Sequence, residues 1–450
     1  MKLLALVAMF FAIDESWANL HLSPPDFETK YGRAIFLDFT RAEYSIQYDI
    51  YREETVVKSR IWFKADKTGH PIFDLVPDVS FADLDGQRVK VHQVDFPGSD
   101  SKLRILDQAV KPGEHVLTLT SAIDTNVIFD DRQLSVSSAF WIRDLKDRKF
   151  LEQYIPSNFE YDQYQMTFHV FFSGAQRNHE IFSNGEVSKT SSNSWTVVFP
   201  EYFTVSCPYF HVAPKGQMSR ADFSYRSVNG RNIPITVYAS TEAQVSEFKA
   251  EAKKVMEELE KDYGPWGHPS LLAYATPPGT GGMEHAGATA TSISALDHEM
   301  LHSYFAKGVM PANGNSGWID EAIASWRDKG YQRVPRPDFT GSNLGLQSVY
   351  KRNTDDRAYK LGNAFLSYID YRLQNTGGLR AFLRGYFHAY NKTVITTEHF
   401  KNNLEFFSGL NLSRDFNTYI WGKNSKGVNH SLRENPYHPA LTKQQLEDLL

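Results

Sequence analysis

The chain has 450 residues, 41% of them hydrophobic and 22% charged, with a formal net charge of −5. That length exceeds one core and implies a multidomain globular protein, while the small acidic balance gives no basic face for nucleic acid, so no nucleic-acid partner is expected. Cys207, the single cysteine, excludes an intrachain disulfide and a cysteine-based metal cluster, and within Val205-Ser206-Cys207-Pro208 it reads as a small buried residue.

Lys2, the apolar run Leu3 to Ile13, and small residues Ser16 and Ala18 at the −3 and −1 positions of a signal peptidase site predict an export signal at 1–18. The mature chain would begin at Asn19 and reside in the periplasm or outside the cell. The apolar run spans 3 to 13, too short as a helix for a hydrocarbon core of ~30 Å, so cleavage is expected rather than anchoring. No other stretch is apolar enough to leave a stable membrane span.

From 19 to 235 the pattern is that of strands. Tyr44, Ile46, Tyr48 and Ile50 alternate with Glu43, Ser45, Gln47 and Asp49, giving one apolar and one polar face, as a half-buried antiparallel strand requires. Ile61 to Phe63, Val116 to Thr120, Tyr164 to Phe172 and Trp195 to Phe199 continue it, with turn signals at Asp83-Leu84-Asp85-Gly86 and Ser183-Asn184-Gly185. The expectation is an all-β domain, a large sandwich or saddle.

The period changes after the strand Ile233 to Ala239, so a second domain is expected over 236–450. Thr241 and Gln244 form a capping box, and Val245, Phe248, Ala252, Val255 and Leu259 recur at helical spacing until Gly264. A strand at Ser270 to Thr276 and the turn Gly279-Thr280-Gly281-Gly282 follow. Asp297-His298-Glu299-Met300-Leu301-His302 then carries the chemistry. A step of four residues on a helix turns by about 400°, so His298 and His302 project from one face and can share a cation. The helix is expected to start near Ser294 or Asp297, either of which could cap it, and to end at Lys307-Gly308. Eighteen residues (303 to 320) separate His302 from Glu321, which opens a second helical run to Lys329 before Gly330. Two imidazoles and a later carboxylate make the His2Glu set of a catalytic zinc with an open fourth position, and Glu299 beside them is placed to act as general base. Asp320 could orient a ligand histidine or cap the helix carrying Glu321. Further amphipathic helices follow, among them one with Leu366, Ile369 and Leu373 as its apolar stripe.

His298-Glu299-x-x-His302 with Glu321, preceded by Gly281-Gly282-Met283-Glu284-His285, resembles the M1 family of zinc metallopeptidases, the aminopeptidase N and leukotriene A4 hydrolase group. The Gly-Gly-x-Glu-His stretch also resembles the M61 glycyl aminopeptidases. Pro156 to Phe168 is similar to the family's PCFDEPxFKATF segment, with Glu160 and Gln165 where the family has Asp and Lys, and Tyr359-Lys360-Leu361-Gly362 is similar to its Tyr-x-x-Gly helix. The resemblance implies an N-terminal β saddle followed by a thermolysin-like, mostly helical zinc peptidase domain, without the large C-terminal helical domain of typical members. It implies one Zn2+ held by His298, His302 and Glu321, and Tyr359 as donor to the tetrahedral oxyanion. It implies a substrate cleft along Gly282, Met283, Glu284 and His285, with Glu284 holding the free α-amine of a peptide. His285 stands where the M1 family has Asn. The expected activity is a zinc aminopeptidase acting on peptides with a free N-terminus; the alternatives are an endopeptidase or another hydrolase of this fold, and a non-catalytic binding protein on the same scaffold.

Overall fold

The computed structural model describes residues 19–95, 102–142, 150–350 and 353–423. The expected signal segment at 1–18 lies outside the described residues. Among these residues no helix is long and apolar enough to cross a membrane.

The N-terminal part is built on an eight-stranded sheet. Its centre is the long hairpin Asp38–Asp49 with Glu54–Ala65, joined on one side by Gln165–Ser173 in parallel and on the other by Gly113–Ala122. The sequence alternation appears directly as burial: Ala42, Tyr44, Ile46 and Tyr48 are fully buried, and the intervening residues face outward. Phe168, Val170, Val197, Phe210 and Val212 pack on that face, so one core is shared between the large sheet and the four-stranded sheet that contains Phe210–Pro214. A five-stranded sheet at the N-terminal end carries its own small core around Phe36, Leu103, Phe159 and Tyr161.

The second part is a helical region built beside one five-stranded sheet. A five-stranded sheet runs in the order Ser219–Arg226, Asn232–Ala239, Leu271–Ala275, Ala288–Thr291, Gly282–His285. It begins ahead of residue 235, and Asn232–Ala239 pairs in parallel with Leu271–Ala275 as an inner strand. Gly282–His285 is the antiparallel edge strand.

Helix α1 (Glu242–Tyr263) packs against this sheet through Val245, Phe248, Ala252, Val255 and Leu259. Thr241 caps it by accepting the Gln244 N–H, and Gly264 ends it at φ 97°, a conformation that glycine adopts without steric cost. Helices α2 (Leu296–Leu301), α3 (Trp318–Asp328), α4 (Asn363–Arg372), α5 (Gly378–Tyr390), α6 (Thr397–Ser408) and α7 (Ser413–Tyr419) complete the part. Their apolar faces meet in one core centred on Trp318, Ile323, Phe365, Leu366, Phe382 and Phe416.

Three helix ends differ from expectation. Helix α2 stops at Leu301, with His302 as its C-cap, instead of reaching Lys307-Gly308. It follows a 3-10 turn, Ile293–Ala295, and neither Ser294 nor Asp297 caps it: Ala295 holds the N-cap position. Helix α3 begins at Trp318, so Glu321 sits within its first turn instead of opening it.

Candidate active site

Helix α2 is only six residues long, yet it spans the turn needed to place His298 and His302 on one face. Helix α3 crosses it and delivers Glu321 between the two rings. The Glu321 Oε2 atom lies 3.2 Å from His298 Nε2 and 3.5 Å from His302 Nε2. Donors set about 2.0–2.2 Å from a tetrahedral zinc stand roughly 3.3–3.6 Å apart, so the two edges that meet at Glu321 match that ion, and all three donors lie within 4.8 Å of one another. Burial disfavours charge on both rings, but the surrounding carboxylates outweigh it. Asp328 and Glu321 hold His298 up to about 11, and Glu321 and Glu284 hold His302 up to about 10. Glu321 is itself drawn well below the usual carboxylate range: its burial is overcome by the two imidazoles. Cation and protons therefore compete for the same lone pairs.

The orienting group for His298 is Asp328, not Asp320. Asp328 Oδ2 lies 2.6 Å from His298 Nδ1, which fixes the tautomer that leaves Nε2 free for a metal. Glu321 and Asp328 are seven residues apart on α3, nearly two full turns, and so share a face; that spacing was the available signal. Asp320 instead accepts the Glu321 N–H at 2.7 Å, within the first helical turn.

Glu299 is 7% exposed and lies under the edge strand. Gly282 makes this possible, because a Cβ there would stand 2.5 Å from Cδ of Glu299. Burial pushes the Glu299 carboxyl up to about 8, against the pull of His302 and His298. Met283 pairs with Ala290 of the neighbouring strand Ala288–Thr291, and its carbonyl accepts the Thr289 hydroxyl. Glu284 is 4% exposed; one carboxylate oxygen, with one of Glu299 and a nitrogen of His302, falls in a cluster no wider than 4.8 Å. Its Oε1 also lies 3.4 Å from Nζ of Lys307, which is 2% exposed. Nothing local in the sequence pointed to Lys307. His285 is buried, with Nδ1 2.9 Å from the Pro208 carbonyl; burial, then the charge of Lys307, lowers it to about 4.

Tyr359 sits in a π-helical turn, Ala358–Gly362. Gly362 lets this turn press on α3, since a Cβ there would be 2.6 Å from that of Ala322. The contact brings the Tyr359 hydroxyl to Glu321 Oε1, to which it donates at 2.7 Å. The structure thus gathers His298, His302, Glu321, Glu299, Glu284, Gly282 and Tyr359 at one site. His285 faces away from the cleft toward Pro208 and Tyr209.

Solved structures share this arrangement of elements. An M1 zinc metallopeptidase from Deinococcus radiodurans, in a mutant form, superposes with a TM-score of 0.59 at 14% identity, covering 88% of this chain and 96% of that one. Its complex with the substrate Tyr-Ser-Ala gives 0.60 at 15% identity, over 86% and 95%. Leukotriene A4 hydrolase from Saccharomyces cerevisiae gives 0.61 at 14%, over 91% of this chain and 69% of that one. The fold is that of the M1 zinc metallopeptidases. No protein-family model matches the sequence, and no curated protein gives a significant match. The M1-like fold is therefore visible in the backbone where overall sequence similarity is slight.

Proposed function

We propose that the chain is a zinc-dependent peptidase. The observation that carries this reading is the convergence of His298, His302 and Glu321 in a zinc-sized donor set, with the buried Glu299 beside it. The M1-like fold supports it, as does the peptide bound by the bacterial neighbour.

Zinc held by His298, His302 and Glu321 would supply Lewis acidity and acidify water toward neutral pH. The remaining work falls to the chain itself. In its ionised form, which the positive charge of a bound cation would favour over the protonated one, Glu299 takes the proton of the attacking water and returns it to the leaving amine, a service worth about 10²–10⁴ in rate. Asp328 holds the His298 ring in one orientation. The Tyr359 hydroxyl, which donates to Glu321 in the structure, would exchange that acceptor for the developing oxyanion. The edge strand Gly282–His285 excludes water from Glu299 and offers its outer side to an extended peptide.

The aminopeptidase expectation places the substrate α-amine on Glu284. A second reading, cleavage of blocked or internal bonds, is favoured by one observation: the Glu284 carboxylate already faces the Lys307 ammonium. We also propose that the protein is exported after cleavage before Asn19.

The test is hydrolysis of fluorogenic aminoacyl and N-acetyl-peptidyl substrates by protein of known zinc content. Activity should require zinc and disappear in Glu299→Gln with zinc still bound. Full zinc occupancy without hydrolysis of any peptide would overturn the reading in favour of a binding protein.

A further inference from the structure

Among the charged groups of the site, Lys307 has no part in the hydrolytic scheme, yet it is 2% exposed. A lysine is almost never buried without a partner, because its ammonium is strongly hydrated. Here Nζ donates to Ser206 Oγ at 2.7 Å and lies 3.4 Å from Glu284 Oε1. Its backbone is fixed as well: the Lys307 N–H donates to the His302 carbonyl at 2.9 Å, tying the lysine to the end of the ligand-bearing helix. Ser206 belongs to the segment 204–208, whose Cys207 carbonyl accepts the Ala286 N–H just beyond the edge strand. The ammonium is thus held between an N-terminal segment and the cleft.

We propose that Lys307 is a built-in occupant of the amino-terminus subsite: paired with Glu284, it neutralises the carboxylate that would hold a substrate α-amine. The substrate class is then peptides that present an uncharged amide there, either N-blocked or cut at an internal bond. This rests on the peptidase reading above and deepens it.

An α-ammonium bonded to Glu284 would share one carboxylate with the Lys307 ammonium. Two such cations about 5 Å apart, at an effective dielectric near 20, cost the α-ammonium on the order of 10²-fold in binding compared with a Glu284 that has no lysine beside it, which cancels more than half of the attraction that a charged amine would have over a neutral amide. His285 does not take over the counter-charge role, because burial and the charge of Lys307 keep its ring neutral above a pH of about 4. Lys307 therefore acts as a specificity-determining residue, by what it denies to Glu284.

The test is calorimetric binding of Tyr-Ser-Ala and N-acetyl-Tyr-Ser-Ala to zinc-loaded Glu299→Gln protein, so that turnover does not enter. With Lys307 present, the acetylated peptide should bind at least as tightly as the free one. Adding Lys307→Met should improve the free-amine peptide by about 10–100-fold relative to the acetylated one. Because that change leaves Glu284 buried without its ammonium and could impair folding, Glu284→Gln with Lys307→Met serves as the neutral control, with the two peptides binding alike. Preference of the Lys307-containing protein for the free amine by tenfold or more, lost on Glu284→Gln alone, would overturn the proposal while sustaining the peptidase. Binding of neither peptide to any variant would instead overturn the peptidase reading, and the proposal with it.

Discussion

Gly282→Ala tests whether the edge strand positions the general base. The new Cβ would stand 2.5 Å from Cδ of Glu299, whereas carbon atoms in contact prefer about 3.5–4.0 Å. The carboxylate must therefore retreat by about 1 Å or more. Gly282 is not among the glycines with positive φ and its position is exposed, so alanine fits the backbone and folding should be unaffected. A displacement of that size at a catalytic group costs about 10²-fold in rate, or about 2.7 kcal/mol of barrier. The assay is kcat/KM on whichever peptide series the protein cleaves, with zinc content and Tm measured on the same samples. The expected outcome is activity down by about 10²-fold with both controls unchanged. Activity within about threefold of the parent would refute the argument that Gly282 and Glu299 are in contact during catalysis.

Removing the carboxylate beside His298 with Asp328→Asn should lower zinc affinity by about 10–100-fold, read by competition with a fluorescent chelator. Unchanged affinity would mean that the ring is oriented by other means. Tyr359→Phe should cut kcat by about 10²–10³ with zinc retained, because one donor to the developing charge is lost; a loss confined to zinc content would show that the hydroxyl serves Glu321 alone. Burial lowers His211 and His268 to about 4, so both fold as neutral rings and ionise more readily unfolded. Their stabilisation is complete above about pH 6.5 and is lost as pH falls toward 4, amounting to roughly 2 kcal/mol per ring by pH 5. Urea unfolding at pH 7.5 and 5 should show a smaller pH-dependent loss in His211→Gln than in the parent, and equal losses would refute the assignment. N-terminal sequencing of exported protein should begin at Asn19; retention of Met1 in the mature chain would refute cleavage.

Local periodicity made much of this molecule legible. The four-residue step from His298 to His302 fixes two rings on one face wherever a turn of helix forms, so their partnership survives the early end of α2 at Leu301. The alternation from Tyr44 to Ile50 likewise specified which face of its strand is buried, since successive side chains in a strand oppose each other. The capping box at Thr241 set the start of α1 for an equally local reason. Helix boundaries near the site were less legible, because the chain there is shaped by packing against α3 and the edge strand more than by its own caps.

The sequence by itself therefore determined the donor types, their helical spacing, the β-rich beginning and the helical continuation. Only the tertiary structure decided which groups meet across elements: Asp328 with His298, Tyr359 with Glu321, Gly282 with Glu299, and Lys307 with Glu284. Those pairings depend on how α2, α3, the π-helical turn and the edge strand close on one another. Residue spacing within one helix or strand encodes neighbours on one face, whereas contacts between separate elements are set by the shape of the packed core. That is why the His298, His302 and Glu321 set could be read from the chain, while the ammonium beside Glu284 emerged only when the fold brought Lys307 next to the edge strand.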